Sequence, residues 1–169
     1  GVSVSVERET FPALLARGAN VIGVVDDGYW LDLGTPLAFA QGSADLVQGI
    51  APSPLVAGST GSALVHPTAV VADGAVLSGG TYVGPYAHIK AGAVVTGSVI
   101  FADVVIEAST EITNSIVSTG AQIKAAAKLT DAVVAERVVI GANAVLESGA
   151  RVFPDEVIQS DSRIGSWQG

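Results

Sequence analysis

Branched aliphatic residues recur at an almost fixed interval from residue 65 onward, and this repeat constrains the fold more than any other feature. Seventeen successive marker positions between Val65 and Ile158 hold only Val, Ile or Leu. Thirteen of the sixteen intervals are six residues long, and the three five-residue intervals begin at Val95, Ile112 and Leu129. The complete unit is therefore three short segments of six, six and five residues. An α-helix has a period of about 3.6 residues and cannot place every sixth residue inside.

A second set of positions, two residues before each later marker, holds small side chains. Fifteen of these sixteen positions carry Ala, Ser, Thr or Val, and Glu156 is the exception. Residues two apart in an extended chain point to the same side, so each segment sends one aliphatic and one small residue inward. Glycines such as Gly74, Gly92 and Gly120 suit the turns between segments. The sequence predicts a mainly β, parallel solenoid with three flat walls and about five coils.

The segments "VGPYAHIKAGAVV" and "VIGANAVLESGARV" resemble the hexapeptide repeat of left-handed parallel β-helices. This resemblance implies the hand of the coil, since ordinary parallel crossovers are right-handed. The chain departs from the family's pattern in one respect. The family favours a glycine directly after the marker, and here a glycine follows the marker only at Gly84 and Gly141.

One outward-facing wall of the predicted solenoid is apolar. The residues directly before the markers should point outward, and on this wall Tyr82, Val99, Ile116 and Val133 stack in successive coils. An exposed apolar stripe of this kind usually marks an interface. We predict that this wall packs on another subunit, on the remainder of a longer protein, or on the chain's own termini. The alternative is that Val simply suits a pleated surface.

The chain before the repeat follows a different pattern, which predicts a small α/β unit over residues 1–49. A short strand should precede a helix over about Phe11–Arg17. The segment "NVIGVV" should form a second strand, and "DDGYWLDLG" a turn that leads into a third. A second helix should begin after the N-cap candidate Thr35. Residues 50–64 are rich in Pro, Gly and Ser and predict a linker to the β-helix at 65–158. Residues 159–169 would form a C-terminal tail that folds back, with Trp167 or Ile164 capping the last coil, and the alternative is that this tail is disordered.

The segments "SVERETFPALL" and "GYWLDLGTPLAFAQGSADLV", followed by hexapeptide coils, resemble the C-terminal part of sugar-1-phosphate nucleotidylyltransferases. The likeness is strongest to the bacterial mannose-1-phosphate guanylyltransferases, also called GDP-mannose pyrophosphorylases. The five-residue steps "TGSVI", "TNSIV" and "TDAVV" also resemble the coils of these enzymes rather than those of plain acyltransferases. The resemblance implies that residues 1–49 are the end of a nucleotidyltransferase domain. It also implies a homo-oligomer assembled through the β-helix, with the remainder of that domain as a further partner.

Enzymes of that family join a sugar 1-phosphate to a nucleotide with the help of Mg²⁺. The resemblance implies that Asp32, in the W-x-D-x-G motif, helps to hold Mg²⁺ in the full-length parent protein, and a carboxylate suits this hard cation. The alternative is that Asp32 caps a turn. The family's nucleotide loop, G-x-G-T-R-x-x-P, does not occur in this sequence. We therefore expect no catalytic residue, no cofactor and no pyrophosphorylase activity in this chain alone.

Other functional classes fit the sequence less well. A hexapeptide acyltransferase with a histidine base is the alternative, but His66 and His88 suit first-coil and surface positions better. A zinc carbonic anhydrase on this fold would need three histidine ligands and is excluded because the chain has two, and the absence of cysteine excludes a Cys-ligated zinc site. A net charge of -8 argues against nucleic acid and anionic membranes as partners. No secretory signal is visible, so we expect a cytoplasmic protein, and the absence of methionine indicates a piece of a longer one.

Overall fold

A computed structural model describes residues 1–56 and 61–167 of the chain. A π-helical turn at Val6–Thr10 leads into helix α1, Phe11–Ala16, and helix α2 spans Pro36–Gln48. Eighteen short strands follow within the described residues and form three parallel six-stranded sheets. Sheet A contains β1 (Ala63–Val65), β4 (Thr81–Val83), β7 (Val99–Ile100), β10 (Ile116–Val117), β13 (Val133–Val134) and β16 (Arg151–Val152). Sheet B contains β2 (Val70–Val71), β5 (His88–Ile89), β8 (Val105–Ile106), β11 (Gln122–Ile123), β14 (Val139–Ile140) and β17 (Val157–Ile158). Sheet C contains β3 (Val76–Ser78), β6 (Val94–Thr96), β9 (Glu111–Thr113), β12 (Lys128–Thr130), β15 (Val145–Leu146) and β18 (Arg163–Ile164).

Each strand pairs with the equivalent strand one coil further along the chain, so the predicted parallel β-solenoid is confirmed. Marker residues lie opposite one another in register, as Val83 does opposite Ile100. The solenoid has about six coils rather than the expected five. The additional strand is β18, in which Ile164 pairs with Leu146 and continues the repeat past residue 158. This architecture is consistent with the left-handed hexapeptide β-helix that the repeat resembles.

The aliphatic ladder fills the interior of the solenoid. Thirteen of the seventeen marker side chains are buried, and every marker from Val83 to Val152 is among them. Val71, Leu77 and Ile158 are partly buried against the same core, in the outer coils. Val65, in the first coil, remains 36% exposed. Burial therefore falls off only where a stacked neighbour is missing on one side.

The five-residue corners are held by buried hydroxyl groups instead of by an ordinary turn hydrogen bond. At a six-residue corner, the backbone N–H of Ala87 donates to the carbonyl of Gly84 at 3.4 Å. At the shorter corners, the N–H of Ser115 donates to Ser98 Oγ and the N–H of Ala132 donates to Ser115 Oγ, both at 3.0 Å. Each hydroxyl in turn donates to a backbone carbonyl two residues earlier at 2.8 Å. The serines thus satisfy buried amides that the shorter corner leaves without a local acceptor.

The first 34 residues contain little regular structure. Helix α1 agrees with the prediction and ends before Gly18, which has a φ of 73°. The three strands predicted in residues 1–49 are wrong, since no strand occurs in residues 1–56. A strand needs a neighbour for its backbone groups, and no other described segment pairs with these residues. Four residues of the expected linker, 57–60, lie outside the described residues.

The end of the chain folds back onto sheet A. The N–H of Trp167 donates to the carbonyl of Gly149 at 3.0 Å. Its ring meets Phe153 edge-on and lies 4.9 Å from the guanidinium carbon of Arg151. The predicted fold-back is therefore present, with Trp167 against the last strand of the apolar wall.

Candidate functional site

Helix α2 lies directly on the first coils of the solenoid, against the wall formed by sheet A. The buried side chains on this side of the helix are Ala40, Ala44 and Val47. The closest approach is at Gly80, where a Cβ atom would lie 2.6 Å from the carbonyl oxygen of Ala44. Gly80 also has a φ of +79°, which disfavours any residue with a side chain. Glycine at this position therefore allows the helix to sit on the coil.

The predicted apolar stripe runs along this same wall. Val99 is buried, with 4% of its surface exposed, whereas Tyr82, Ile116 and Val133 are half-buried. A groove of about 280 Å³ lies between α2 and the first coils, and Tyr82 and Val99 contribute to its lining. A second groove, of about 250 Å³, joins the start of α2 to Val133. The chain's own helix thus occupies part of the stripe, while contact with a second subunit stays a prediction.

The opposite side of α2 carries residues 29–34, which form neither helix nor strand. A Cβ atom on Gly42 would lie 2.8 Å from Leu33 and 3.2 Å from Leu31, so both leucines rest on the bare helix backbone. Tyr29 Oη donates to Asp45 Oδ2 at 2.7 Å, and this hydrogen bond raises the pKa of Tyr29. Gln41 also donates from Nε2 to Asp45 Oδ1 at 2.7 Å. The buried carboxylate of Asp45 therefore ties this segment to the helix.

Asp32, the predicted magnesium ligand, lies in this segment with its side chain exposed. Its Oδ1 accepts a hydrogen bond from the N–H of Gly34 at 3.0 Å, as expected for a carboxylate that caps a turn. No group of three or more His, Cys, Asp or Glu residues able to hold a metal ion occurs in the described part of the chain. A carboxylate oxygen is chemically suited to be one ligand of Mg²⁺, and the assignment of Asp32 to that role stays a prediction.

Neither of the two histidines lines a groove described above. His66 Nδ1 lies 2.9 Å from Thr68 Oγ1 and accepts a hydrogen bond from the N–H of Thr68, so it is held within its own turn. His88 is exposed on sheet B, in register with Val70 and Val105. Their positions therefore give no support to the acyltransferase alternative.

Charged residues decorate the outside of the coils. Lys128 and Glu111, one coil apart on sheet C, form an ion pair at 2.8 Å. Arg137 and Asp155 form a two-pronged pair with distances of 2.7 and 2.8 Å, and the hydrogen bond from Arg137 lowers the pKa of Asp155. All four side chains are more than half exposed. These pairs belong to a solvated surface and contribute little to stability.

Sequence reasoning missed the contacts that α2 makes on its two sides. The available signal was Asp45, an acid among the apolar and small residues of a short helix. Gly42 and Gly80 were two further signals, because they lie where a helix and a turn pass close to other chain segments. Among the described residues, no helix has the length and apolar character required to cross a membrane.

Comparisons with known proteins agree with the resemblance found in the sequence. A protein-family model described as "GMPPB C-terminal domain" matches residues 59–167. The mannose-1-phosphate guanylyltransferase of Mycobacterium tuberculosis (strain ATCC 25618 / H37Rv) is 56% identical over 109 residues. That alignment covers 64% of this chain and 30% of the mycobacterial protein, so the match involves less than a third of the relative's length.

Two solved structures share features of the fold at low similarity. One is the acetyltransferase domain of PglB from Neisseria gonorrhoeae with acetyl coenzyme A. It is 19% identical with a TM-score of 0.40, and the match covers 62% of this chain and 54% of that one. The other is a mutant perosamine N-acetyltransferase from Caulobacter crescentus with CoA and GDP-perosamine. It is 25% identical with a TM-score of 0.37, covering 92% and 79%. Similarity this low carries no argument about this chain. The family-model match, by contrast, spans well over half of the chain, and the chain therefore belongs to the GMPPB C-terminal domain family.

Proposed function

We propose that this chain is the C-terminal portion of a mannose-1-phosphate guanylyltransferase, and that its solenoid assembles and regulates the complete enzyme. The observation that carries this proposal is the 56% identity over 109 residues to the mycobacterial guanylyltransferase. The match involves 30% of that protein. In this proposal the nucleotide loop and most of the catalytic domain belong to the remainder. The parent reaction would convert GTP and mannose 1-phosphate into GDP-mannose and pyrophosphate, and the proposal includes a cytoplasmic location for the enzyme.

The exposed apolar side chains near the N-terminus support a catalytic domain as partner. Val24 is 88% exposed and Trp30 is 81% exposed, and the apolar side chains of Val2, Val4 and Ile22 are also exposed. Exposed apolar side chains that are this frequent in one part of a chain suit contact with another part of a protein. The covering body in this proposal is the remainder of the nucleotidyltransferase domain.

In the proposed reaction, a phosphate oxygen of mannose 1-phosphate attacks the α-phosphorus of GTP, and the bond to the β-phosphate oxygen breaks as pyrophosphate leaves. A bound Mg²⁺ neutralises the negative charge of the phosphates in this chemistry. Asp32 would hold the ion with one carboxylate oxygen, while the N–H of Gly34 fixes the orientation of that carboxylate. Catalysis would depend on alignment, to which this chain contributes a single ligand.

Assembly would use the wall of sheet A that α2 leaves open. Tyr82, Ile116 and Val133 retain part of their exposure beside the helix, so an apolar surface remains for a second subunit. A homo-oligomer built in this way would join the catalytic domains through their solenoids.

A chimeric enzyme tests this function. The homologous 109 residues of the mycobacterial guanylyltransferase are replaced by those of this chain, and GDP-mannose formation is measured together with mass by light scattering. We expect the chimera to keep both the activity and the oligomeric state of the parent. A version that lacks the segment should have a different number of subunits. A folded chimera without activity or with altered mass would contradict the proposal.

The isolated 169-residue chain provides the matching control. We expect it to form no GDP-mannose from GTP and mannose 1-phosphate in the presence of Mg²⁺. We also expect calorimetry to detect no binding of acetyl-CoA, the result that distinguishes this function from a hexapeptide acyltransferase.

A further inference from the structure

Helix α2 lies between the solenoid and residues 29–34, with close contacts to each on opposite sides of the helix. On one side, Ala44 meets Gly80 of the first coil so closely that a Cβ on the glycine would overlap the helix backbone. On the other side, Leu31 and Leu33 rest on Gly42. Contacts made through such small residues leave little room for a helix to shift, because close-packed atoms resist displacement. The solenoid therefore fixes the position of α2, and α2 in turn fixes the position of residues 29–34.

Contacts with α2 flank Asp32 on both sides along the chain. Tyr29 binds Asp45, and Leu31 and Leu33 lie over Gly42, although Tyr29 is 43% exposed and Leu33 is 55% exposed. Asp32 lies between the two leucines with its side chain exposed. Holding Leu31 and Leu33 on the helix therefore restricts where the carboxylate of Asp32 can lie.

Asp45 supplies the polar part of this attachment. Its carboxylate is 7% exposed, and each oxygen accepts one short hydrogen bond, from Tyr29 Oη and from Gln41 Nε2. Hydrogen bonds to an ionised acceptor are stronger than those between neutral groups. A buried carboxylate that loses one of these donors also keeps its desolvation cost. The Tyr29–Asp45 bond therefore resists separation of the segment from the helix.

We propose that Tyr29, Gly42 and Asp45 are positioning residues that hold Asp32 toward the metal site of the complete guanylyltransferase, with α2 linking that carboxylate to the solenoid. This inference rests on the proposed function for the role of Asp32. The attachment of residues 29–34 to α2 stands on the contacts alone. The two parts can therefore be tested separately.

The attachment is tested in the complete 169-residue chain by the fluorescence anisotropy decay of Trp30. The chain has two tryptophans, and Trp167→Phe leaves Trp30 as the only one. In that background, Tyr29→Phe removes the hydroxyl that binds Asp45, and we expect a larger amplitude of fast local motion at Trp30. The matched control is Tyr86→Phe, which removes an exposed hydroxyl elsewhere and should leave the decay unchanged. An unchanged decay in Tyr29→Phe would overturn the attachment.

A second variant guards against a folding failure. Asp45→Asn keeps the shape of the side chain and replaces the ionised acceptor with a neutral one, so its effect on Trp30 should lie between wild type and Tyr29→Phe. Circular dichroism verifies that each variant retains the fold. If both folded variants leave the motion of Trp30 unchanged, the proposed positioning is wrong.

The positioning role is tested in the complete enzyme that contains this chain, by metal binding. We expect Tyr29→Phe to weaken Mn²⁺ binding, followed by electron paramagnetic resonance, about tenfold, the factor that corresponds to about 1.4 kcal/mol. The Mg²⁺ concentration for half-maximal activity should rise by a similar factor, with kcat at saturating Mg²⁺ nearly unchanged. A merely structural role would instead lower kcat without this separation.

The outcomes distinguish the two proposals. If the wild-type complete enzyme forms no GDP-mannose, the proposed function fails, and the anisotropy of Trp30 still decides whether Asp45 holds the segment. If the enzyme is active and Tyr29→Phe keeps the wild-type affinity for Mn²⁺, the proposed function stands and this inference is overturned.

Discussion

Two regions of this chain use the same kinds of residue with opposite results. Val95, inside the solenoid, is fully buried, whereas Val24, near the N-terminus, is 88% exposed. Both lie in short apolar runs of the sort that form strands. The difference is a neighbour, because every coil of the repeat supplies a partner for the next, while the run around Val24 occurs once. An apolar pattern thus shows that a segment can be buried, but burial also requires a neighbouring segment. In this chain the repeated coils supply that neighbour.

The largest expected effect comes from truncating the same type of side chain in the two regions. Ile123→Ala should lower the free energy of unfolding by about 2–5 kcal/mol, because it leaves a cavity in a packed ladder. Ile22→Ala, in the exposed segment, should change it by no more than about 0.5 kcal/mol. Urea unfolding followed by circular dichroism measures both. Equal effects of the two substitutions would remove the distinction between the regions.

The junction between the regions is tested next. Gly80→Ala should cost about 1–2 kcal/mol for the left-handed backbone, and the clash with Ala44 should add about 1–3 kcal/mol. Gly74→Ala is the matched control, since Gly74 has a φ of +83° and its nearest atom lies at 3.9 Å. Hydrogen exchange should show faster exchange of the α2 amides in Gly80→Ala alone. Unchanged exchange there would mean that α2 does not depend on this contact.

The hydroxyl at a short corner should have a smaller effect. Ser115→Ala removes the acceptor for the N–H of Ala132 and leaves a buried amide unsatisfied, at a cost of about 1–3 kcal/mol. The control is Ser118→Ala on the same coil, whose hydroxyl has no hydrogen bond within the described residues. Thermal unfolding compares the two variants. A loss of stability no greater for Ser115→Ala than for its control would exclude the proposed role of the hydroxyl.

The smallest effect is expected at the surface pair of Arg137 and Asp155. Because the folded-state pKa of Asp155 is lowered, the pair stabilises the protein at pH values above the unfolded pKa of about 3.9. That stability is lost as the pH falls through the folded pKa. Asp155→Asn should therefore be slightly less stable than wild type at pH 7, with the difference vanishing in acid. A difference that persists below pH 3 would point to another cause.

The sequence predicted the solenoid well because its signal is repeated many times. The spacing of residues such as Val83, Ile100 and Val117 identifies a wall even if one coil is irregular. The extra strand at Arg163–Ile164 also follows this spacing, because Ile164 lies six residues after Ile158, whereas the prediction ended the repeat at Ile158. Gly80 and Asp45 could not be paired with their partners from the sequence, since their contacts join segments of unlike pattern. The strands predicted before residue 35 failed because a strand is defined by its partner, which the pattern does not contain.

The central claim is that the solenoid is complete in itself while residues 1–34 depend on the remainder of a nucleotidyltransferase. Hydrogen exchange followed by mass spectrometry tests it most directly, with the 169-residue chain and the complete enzyme that contains it measured side by side. We expect the backbone amides of strands such as β8 and β11 to exchange slowly in both proteins. The amides of residues 1–34 should exchange fast only in the isolated chain. Equally fast exchange of residues 1–34 in both proteins would contradict it.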